Sequence, residues 1–260
     1  GKTEVAKVLA EQLGIELVHF DMSEYAEKHT VSRLIGTPAG YVGYEDGGQL
    51  TDAIRRSPHC VLLLDEIEKA HPDIFNILLQ VMDRATLTDT HGRKADFRHV
   101  LLILTSNAGA QFARQAGVGF TGNVTPGDAM LAEVKKLFKP EFLNRLSGTV
   151  VFGEMTLNMA RRILDKQLGV LQSLLTPRGV QLQLTDAARE WLLQRGFTRE
   201  YGARELDRAI AAHLKPLLTR ALLFGALAHG GIATVDAGDE GLVLRENSTP
   251  KNADCTADEV

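Results

Sequence analysis

Four apolar residues, Val61-Leu62-Leu63-Leu64, run straight into two carboxylates, Asp65 and Glu66. A short uncharged run rich in β-formers, bounded by the Pro58-His59 break and a polar helix start, predicts a strand buried on both faces of a parallel sheet. Sheets of that kind bind ligands at the carboxyl ends of their strands. A carboxylate leaving the strand there can hold a hydrated Mg²⁺ through its waters, and a second one beside it can orient or deprotonate a water. Asp65 is the metal candidate and Glu66 the base candidate. The competing reading is a strand that ends in a solvated helix cap.

Gly1-Lys2-Thr3, followed by apolar residues at Val5, Val8, Leu9 and Leu13, matches the end of the phosphate-binding loop G-x-x-x-x-G-K-[ST]. There the helix N-terminus cradles phosphate, the lysine neutralises the β and γ oxygens, and the hydroxyl ligates Mg²⁺. The tripeptide alone is weak. Its distance from Asp65-Glu66 suits two intervening β-α units, and this raises its weight. The strand and the first half of the loop that would precede it are not in the sequence, so the chain reads as part of a longer protein.

Composition removes several classes of function. A formal net charge of −4 over 260 residues gives no general electrostatic footprint for nucleic acid. Two cysteines, Cys60 and Cys255, make neither a disulfide framework nor a zinc site, and a reducing cytoplasm is the expected compartment. The eight histidines show no ligand spacing. No apolar run approaches the roughly 20 residues that a bilayer span requires.

Taken in order, the chain alternates helix and strand. Ile15 to Phe20 reads as a strand, His29 to Ile35 as a helix stopped by Gly36, and Gly48 to Ser57 as another helix. Thr37 to Tyr44 holds too many turn formers for either element. Its glycines allow a loop projecting Tyr41 and Val42, or a tight turn that folds Tyr41 back on the core. Glu66 to Arg84 is helical with an interruption at Pro72, and Leu87 to Phe97 predicts an exposed hairpin carrying Arg93, Lys94 and Arg98.

Val100 to Leu104 predicts a further buried strand that ends in Thr105-Ser106-Asn107. Asn107 there could bond a γ-phosphate or an attacking water, or serve as an ordinary turn residue. Val118-Gly119-Phe120 is an apolar island in a polar, glycine-rich stretch, and it either tucks into the core or waits for a partner. Arg145, at the end of the helix begun by Lys139-Pro140, is a candidate arginine finger or a solvated surface cation. After Gly153 the texture becomes helix-rich: Thr156 to Leu175, Thr185 to Arg195, and Gly202 through Phe224, with short strands at Val180 to Leu184, Ile232 to Val235 and Leu242 to Leu244. The organisation expected is 1–153, 154–245 and a disordered tail over 246–260.

Taken together, Phe20 to Tyr25, His29 to Gly36, Gly40-Tyr41-Val42-Gly43, Leu64 to Pro72 and Pro140 to Arg145 resemble the second ATPase module of a Clp-type AAA+ protein unfoldase. The nearest branch is ClpA and ClpC, the ATP-binding subunits of Clp protease. The resemblance covers 1 to 245. It implies an α/β AAA+ P-loop NTPase domain, a parallel sheet flanked by helices, followed by a small helix-rich α+β domain. It also implies ATP and Mg²⁺ as cofactors. Gly1, Lys2 and Thr3 fall on Walker A, Asp65 and Glu66 on Walker B, Asn107 on the first sensor, Arg145 on the arginine finger and Arg204 on the second sensor.

Tyr41 and Val42 fall on the pore loop that grips substrate polypeptide, and Val118-Gly119-Phe120 on the loop that docks a ClpP-type peptidase and that disaggregase relatives lack. The partners implied are a homo-hexamer, the peptidase, unfolded or tagged protein substrates and adaptors, with no nucleic acid and no membrane. A stand-alone disaggregating chaperone and a non-catalytic interaction fragment are the alternatives. Two departures stand out besides the incomplete Walker A, which predicts poor nucleotide binding by the chain on its own. Ser147 stands where the family usually has Asp. Ala85 stands where it usually has Gly, which predicts a changed turn or mild strain.

Overall fold

The computed structural model describes residues 1–37, 47–108, 126–153, 155–197 and 203–245. They divide into two compact units, Gly1–Gly153 and Glu154–Val260.

In the first unit, α1 (Lys2–Leu13) leads through Gly14, held in the left-handed region, to β1 (Glu16–Asp21). A 3₁₀ turn, Met22–Tyr25, is capped by the Asp21 carboxylate. Then come α2 (Lys28–Ile35), α3 (Gln49–Arg56), β2 (Cys60–Asp65) and, after a short turn, α4 (Pro72–Arg84). Pro72 begins α4 and does not interrupt it, since the first turn of a helix needs no N–H there. His71 caps that end by accepting from the Asp73 N–H at 3.2 Å. β3 (Thr86–Thr88) and β4 (Lys94–Asp96) form an antiparallel hairpin. β5 (Val100–Leu104), α5 (Pro126–Leu137) and α6 (Pro140–Leu143) complete the unit.

The sheet is parallel with order β1-β2-β5 and places the apolar run at its centre. Residues 60 to 64 are fully buried. Alternation sends Cys60, Leu62 and Leu64 into the main core with α2, α3 and α4, and Val61 and Leu63 to the opposite face against α1.

Three sequence expectations need correction. The α1 residues that meet the sheet are Ala6 and Ala10, whose small side chains let helix and strand approach, while Val5 and Leu13 stay more than half exposed. The hairpin is not simply exposed: Leu87, Ala95 and Phe97 belong to the core. β5 is an edge strand among the described residues, with Leu101 exposed.

The second unit holds α7 (Leu157–Leu175), β6 (Val180–Leu184), α8 (Asp186–Gly196), α9 (Ala203–Ala209), α10 (Lys215–Phe224), β7 (Gly231–Gly238) and β8 (Gly241–Arg245). Thr156 and Thr185 cap α7 and α8 through their hydroxyls. A π-turn, Ile210–Leu214, joins α9 to α10 just ahead of Pro216, where the ring would clash with a regular α-turn. β6 pairs parallel with β7, and β7 antiparallel with β8, over a core of Leu164, Leu192, Leu206 and Leu214.

Ala85 resolves the question of its turn. It terminates α4 at φ 52°, in the left-handed region, and keeps the turn that glycine would make. A Cβ there costs about 1 kcal/mol. Ala85→Gly is therefore expected to stabilise the protein by roughly that amount, read as a higher urea midpoint at unchanged m-value; an unchanged or lower midpoint contradicts it.

Candidate nucleotide site

Parallel pairing sets the site. Leu64 lies opposite Leu104, so the next residues along, Asp65 and Thr105, emerge side by side at the carboxyl edge of the sheet. The Thr105 hydroxyl donates to Asp65 Oδ1 and accepts the Glu66 N–H at 3.3 Å. The Thr105 carbonyl accepts the Ile67 N–H at 3.0 Å. One buried threonine thus holds both strand-end carboxylate residues. Glu66 is fixed at φ 55°, a conformation disfavoured for glutamate that persists because these bonds determine it.

The start of α1 comes to the same edge. Thr3 Oγ1 donates to Asp65 Oδ2 at 2.8 Å, and Lys2 Nζ donates to Asn107 Oδ1 at 2.6 Å. Asn107 Nδ2 reaches Glu66 Oε1 at 3.5 Å, and the Asn107 N–H donates to Glu68 Oε1 at 2.9 Å. The second Glu66 oxygen is ion-paired to Lys69. Lys2, Thr3, Asp65, Glu66 and Asn107, drawn from three separate stretches of sequence, form one hydrogen-bonded cluster beside the N-terminus of α1, where backbone N–H groups and the helix dipole favour an anion.

The donor set fits a hard divalent cation: a hydroxyl oxygen touching a carboxylate that is ionised at neutral pH. Burial opposes ionisation of Asp65. Hydrogen bonds from Thr105 and Thr3, the nearby His19 ring at 3.6 Å and the Glu66 N–H outweigh it and hold the carboxyl below its ordinary range.

The remaining candidates are placed as follows. Arg145 is half exposed and ion-paired to Asp83 of α4 at 2.7 Å, and no bond joins it to the cluster among the described residues. Arg204 is an exposed residue of the first turn of α9, in the second unit. Ser147 shows no bond to Arg145 among the described residues. Tyr41, Val42, Val118, Gly119, Phe120 and the 246–260 tail lie outside the described residues. Thr105, Glu68 and Lys69 are the site residues that sequence reasoning missed. The signal for Thr105 was the strand register, which periodicity does not reveal.

Because the folded pKa of Asp65 is depressed, the stability it contributes is complete above its unfolded value of about 3.9 and is lost as pH falls through the folded value. Thr105→Val removes the strongest opposing bond. It is expected to raise the Asp65 titration midpoint, followed by carboxyl ¹³C NMR, and to move acid unfolding to higher pH, while Thr105→Ser preserves both. An unmoved midpoint in the valine variant contradicts this assignment.

Comparison with known proteins identifies the family of the two units. Residues 1–149 match the model of the AAA domain (Cdc48 subfamily), and residues 155–235 match the C-terminal, D2-small domain, of ClpB protein. The chain is 49% identical over 251 residues to a ClpA homolog protein of Fuscovulum blasticum, covering 96% of this chain and 32% of that protein. It is 47% identical over 247 residues to chaperone protein ClpB 1 of Parasynechococcus marenigrum (strain WH8102), covering 94% of this chain and 29% of that one. The chain thus spans about a third of the length of these relatives. Among solved structures it matches a closed-state cryo-EM reconstruction of Hsp104 with ATPγS and FITC casein at TM-score 0.82 and 34% identity, covering 94% of this chain and 42% of that one. No helix among the described residues is long and apolar enough to cross a membrane. The chain belongs to the AAA+ ATPases of the Clp/Hsp100 group, as their second ATPase module with its small domain.

Proposed function

We propose that this chain is the motor module of a ClpA/ClpC-branch unfoldase, which threads polypeptides through a hexameric pore into a ClpP-type peptidase in the cytoplasm. The observation that carries the ATPase half of this reading is the convergence of Lys2, Thr3, Asp65, Glu66 and Asn107 at one sheet edge. Lys2 binds the β and γ phosphate oxygens. Thr3 and Asp65 would hold Mg²⁺, Asp65 through water, and the ion would supply charge neutralisation at the phosphoryl group. Glu66 accepts the proton of the attacking water and Asn107 orients that water. To do so Glu66 exchanges its pairing with Lys69 for the water.

Arg145 stabilises the transition state of the neighbouring subunit's site; in support, its described ion pair is with Asp83 and not with a residue of its own cluster. A contact of that head-to-tail kind closes as a ring. Arg204 couples nucleotide state to the small domain, and Tyr41 with Val42 grips the substrate chain without specific hydrogen bonds. The peptidase half rests on Val118-Gly119-Phe120 and on similarity to the ClpA homolog. A second reading, a disaggregating chaperone without a peptidase, is favoured by the ClpB relatives at 47 and 48% identity.

Two variants of the full-length protein test these halves. Glu66→Gln is expected to lower ATP hydrolysis by about 10²-fold or more while nucleotide still binds; hydrolysis at the parent rate removes Glu66 as the base. Replacing Val118 to Phe120 by Gly-Ser residues is expected to abolish ATP-dependent degradation of a folded, tagged fluorescent substrate by the cognate peptidase while hydrolysis continues. Undiminished degradation removes the docking assignment, and recovery of aggregated substrate with no degradation by the parent protein favours the chaperone.

A further inference from the structure

The turn of the β3–β4 hairpin carries an arginine that the nucleotide site does not use. Asp89, whose side chain is fully buried, accepts the N–H groups of His91 at 3.0 Å and Arg93 at 2.8 Å, so it shapes the turn. Its second oxygen accepts Arg93 Nε at 2.7 Å and aims the guanidinium. Arg93 NH1 reaches across to Asp52 Oδ1 in the first turn of α3 at 3.1 Å. The remaining nitrogen, NH2, is buried and has no hydrogen-bond acceptor among the described residues.

NH2 occupies the space directly over Gly47. A Cβ on Gly47 would overlap it and would lie 2.7 Å from Arg93 Cζ. Gly47 in turn forms an antiparallel bridge with Gly36, which stands at φ 98° with the Thr90 hydroxyl filling the place of its own Cβ. Both flanks of the 38–46 segment are therefore glycines pinned to each other and roofed by the hairpin turn. The hairpin turn, α3 and the two flanks meet at Arg93, whose partly exposed side chain bridges them.

On the reading that Tyr41 and Val42 grip substrate, we propose that Arg93 is a positioning residue that ties the base of the gripping segment to the ATPase core, so that load on that segment is carried into the hairpin and α3. Arg93 touches neither nucleotide nor substrate in this account. Its planar fork is what spans Asp89 and Asp52 at once, and a lysine cannot do so.

The test measures ATP hydrolysed per folded, tagged substrate molecule unfolded by the full-length protein, for Arg93→Ala, Arg93→Lys, Gly47→Ala and Tyr41→Ala. Gly47→Ala keeps the arginine but evicts its guanidinium, and it reports on the clasp even if an Arg93 variant folds poorly. Arg93→Ala and Gly47→Ala are expected to raise that ratio about fivefold, within the range of coupling changes that such networks show, at a hydrolysis rate close to the parent; the thermal midpoint of Arg93→Ala falls because buried Asp89 loses its cation, while that of Gly47→Ala, which keeps the arginine, stays closer to the parent. Arg93→Lys is expected to follow Arg93→Ala. Parent-like ratios in both Arg93→Ala and Gly47→Ala, with unfolding lost in Tyr41→Ala, overturn the proposal and leave the grip intact. A parent-like Tyr41→Ala overturns the grip, and the role of Arg93 falls with it.

Discussion

The parallel register of β2 against β5 is the constraint on which the site depends. Five fully buried residues, 60 to 64, fix β2 at the centre of the sheet, and a slip of one residue would carry Leu62 and Leu64 from the main core to the α1 face. That register alone sets Asp65 against Thr105, and Thr105 then orients both the carboxylate and the backbone of the next residue. Hydrophobic burial thereby becomes positional accuracy for polar groups: Thr3 and Lys2 find their partners only because α1 lies close on Val61 and Leu63 through Ala6 and Ala10.

The cluster stores strain where chemistry is expected. Glu66 sits in the left-handed region, with one oxygen on Lys69 and the other near Asn107, so its carboxylate is held ready but paired. Asn107 is fixed from two sides, by Lys2 on its amide and by Glu68 on its backbone. A phosphate arriving at Lys2 competes with Asn107 for the same ammonium. On the proposed reading, phosphate binding and release of the Asn107 amide would be linked through this single shared group.

Much of this was legible before any coordinates. The uninterrupted apolar run marked β2 as a strand buried on both faces, and the helices expected to begin at Thr156 and Thr185 are α7 and α8. What escaped the sequence was of one physical type: facts set by tertiary register or by backbone angle. The apolar period of α1 pointed to Val5 and Leu13, but contact with a sheet selected the small side chains of Ala6 and Ala10. The hairpin looked exposed because its charges are frequent, while Leu87, Ala95 and the buried Asp89 face inward. Thr105 was invisible as a site residue because nothing in a one-dimensional pattern places residue 105 beside residue 65. The left-handed angle of Ala85 was anticipated only as one of two outcomes, since a missing glycine alone does not say whether the turn or the residue gives way.

The central claim, that the Lys2–Asn107 cluster is a hydrolytic site completed by Arg145 of a neighbouring subunit, is tested most directly by mixing two inactive variants of the full-length protein, Glu66→Gln and Arg145→Ala. The first lacks a base but keeps its arginine; the second keeps its base but lacks the arginine. If the site is shared between subunits, random equal mixing restores hydrolysis to about a quarter of the parent rate, the fraction of interfaces at which an intact base meets an intact arginine. If every mixture stays at the background of the separate variants, Arg145 does not act across an interface and the shared-site account is wrong.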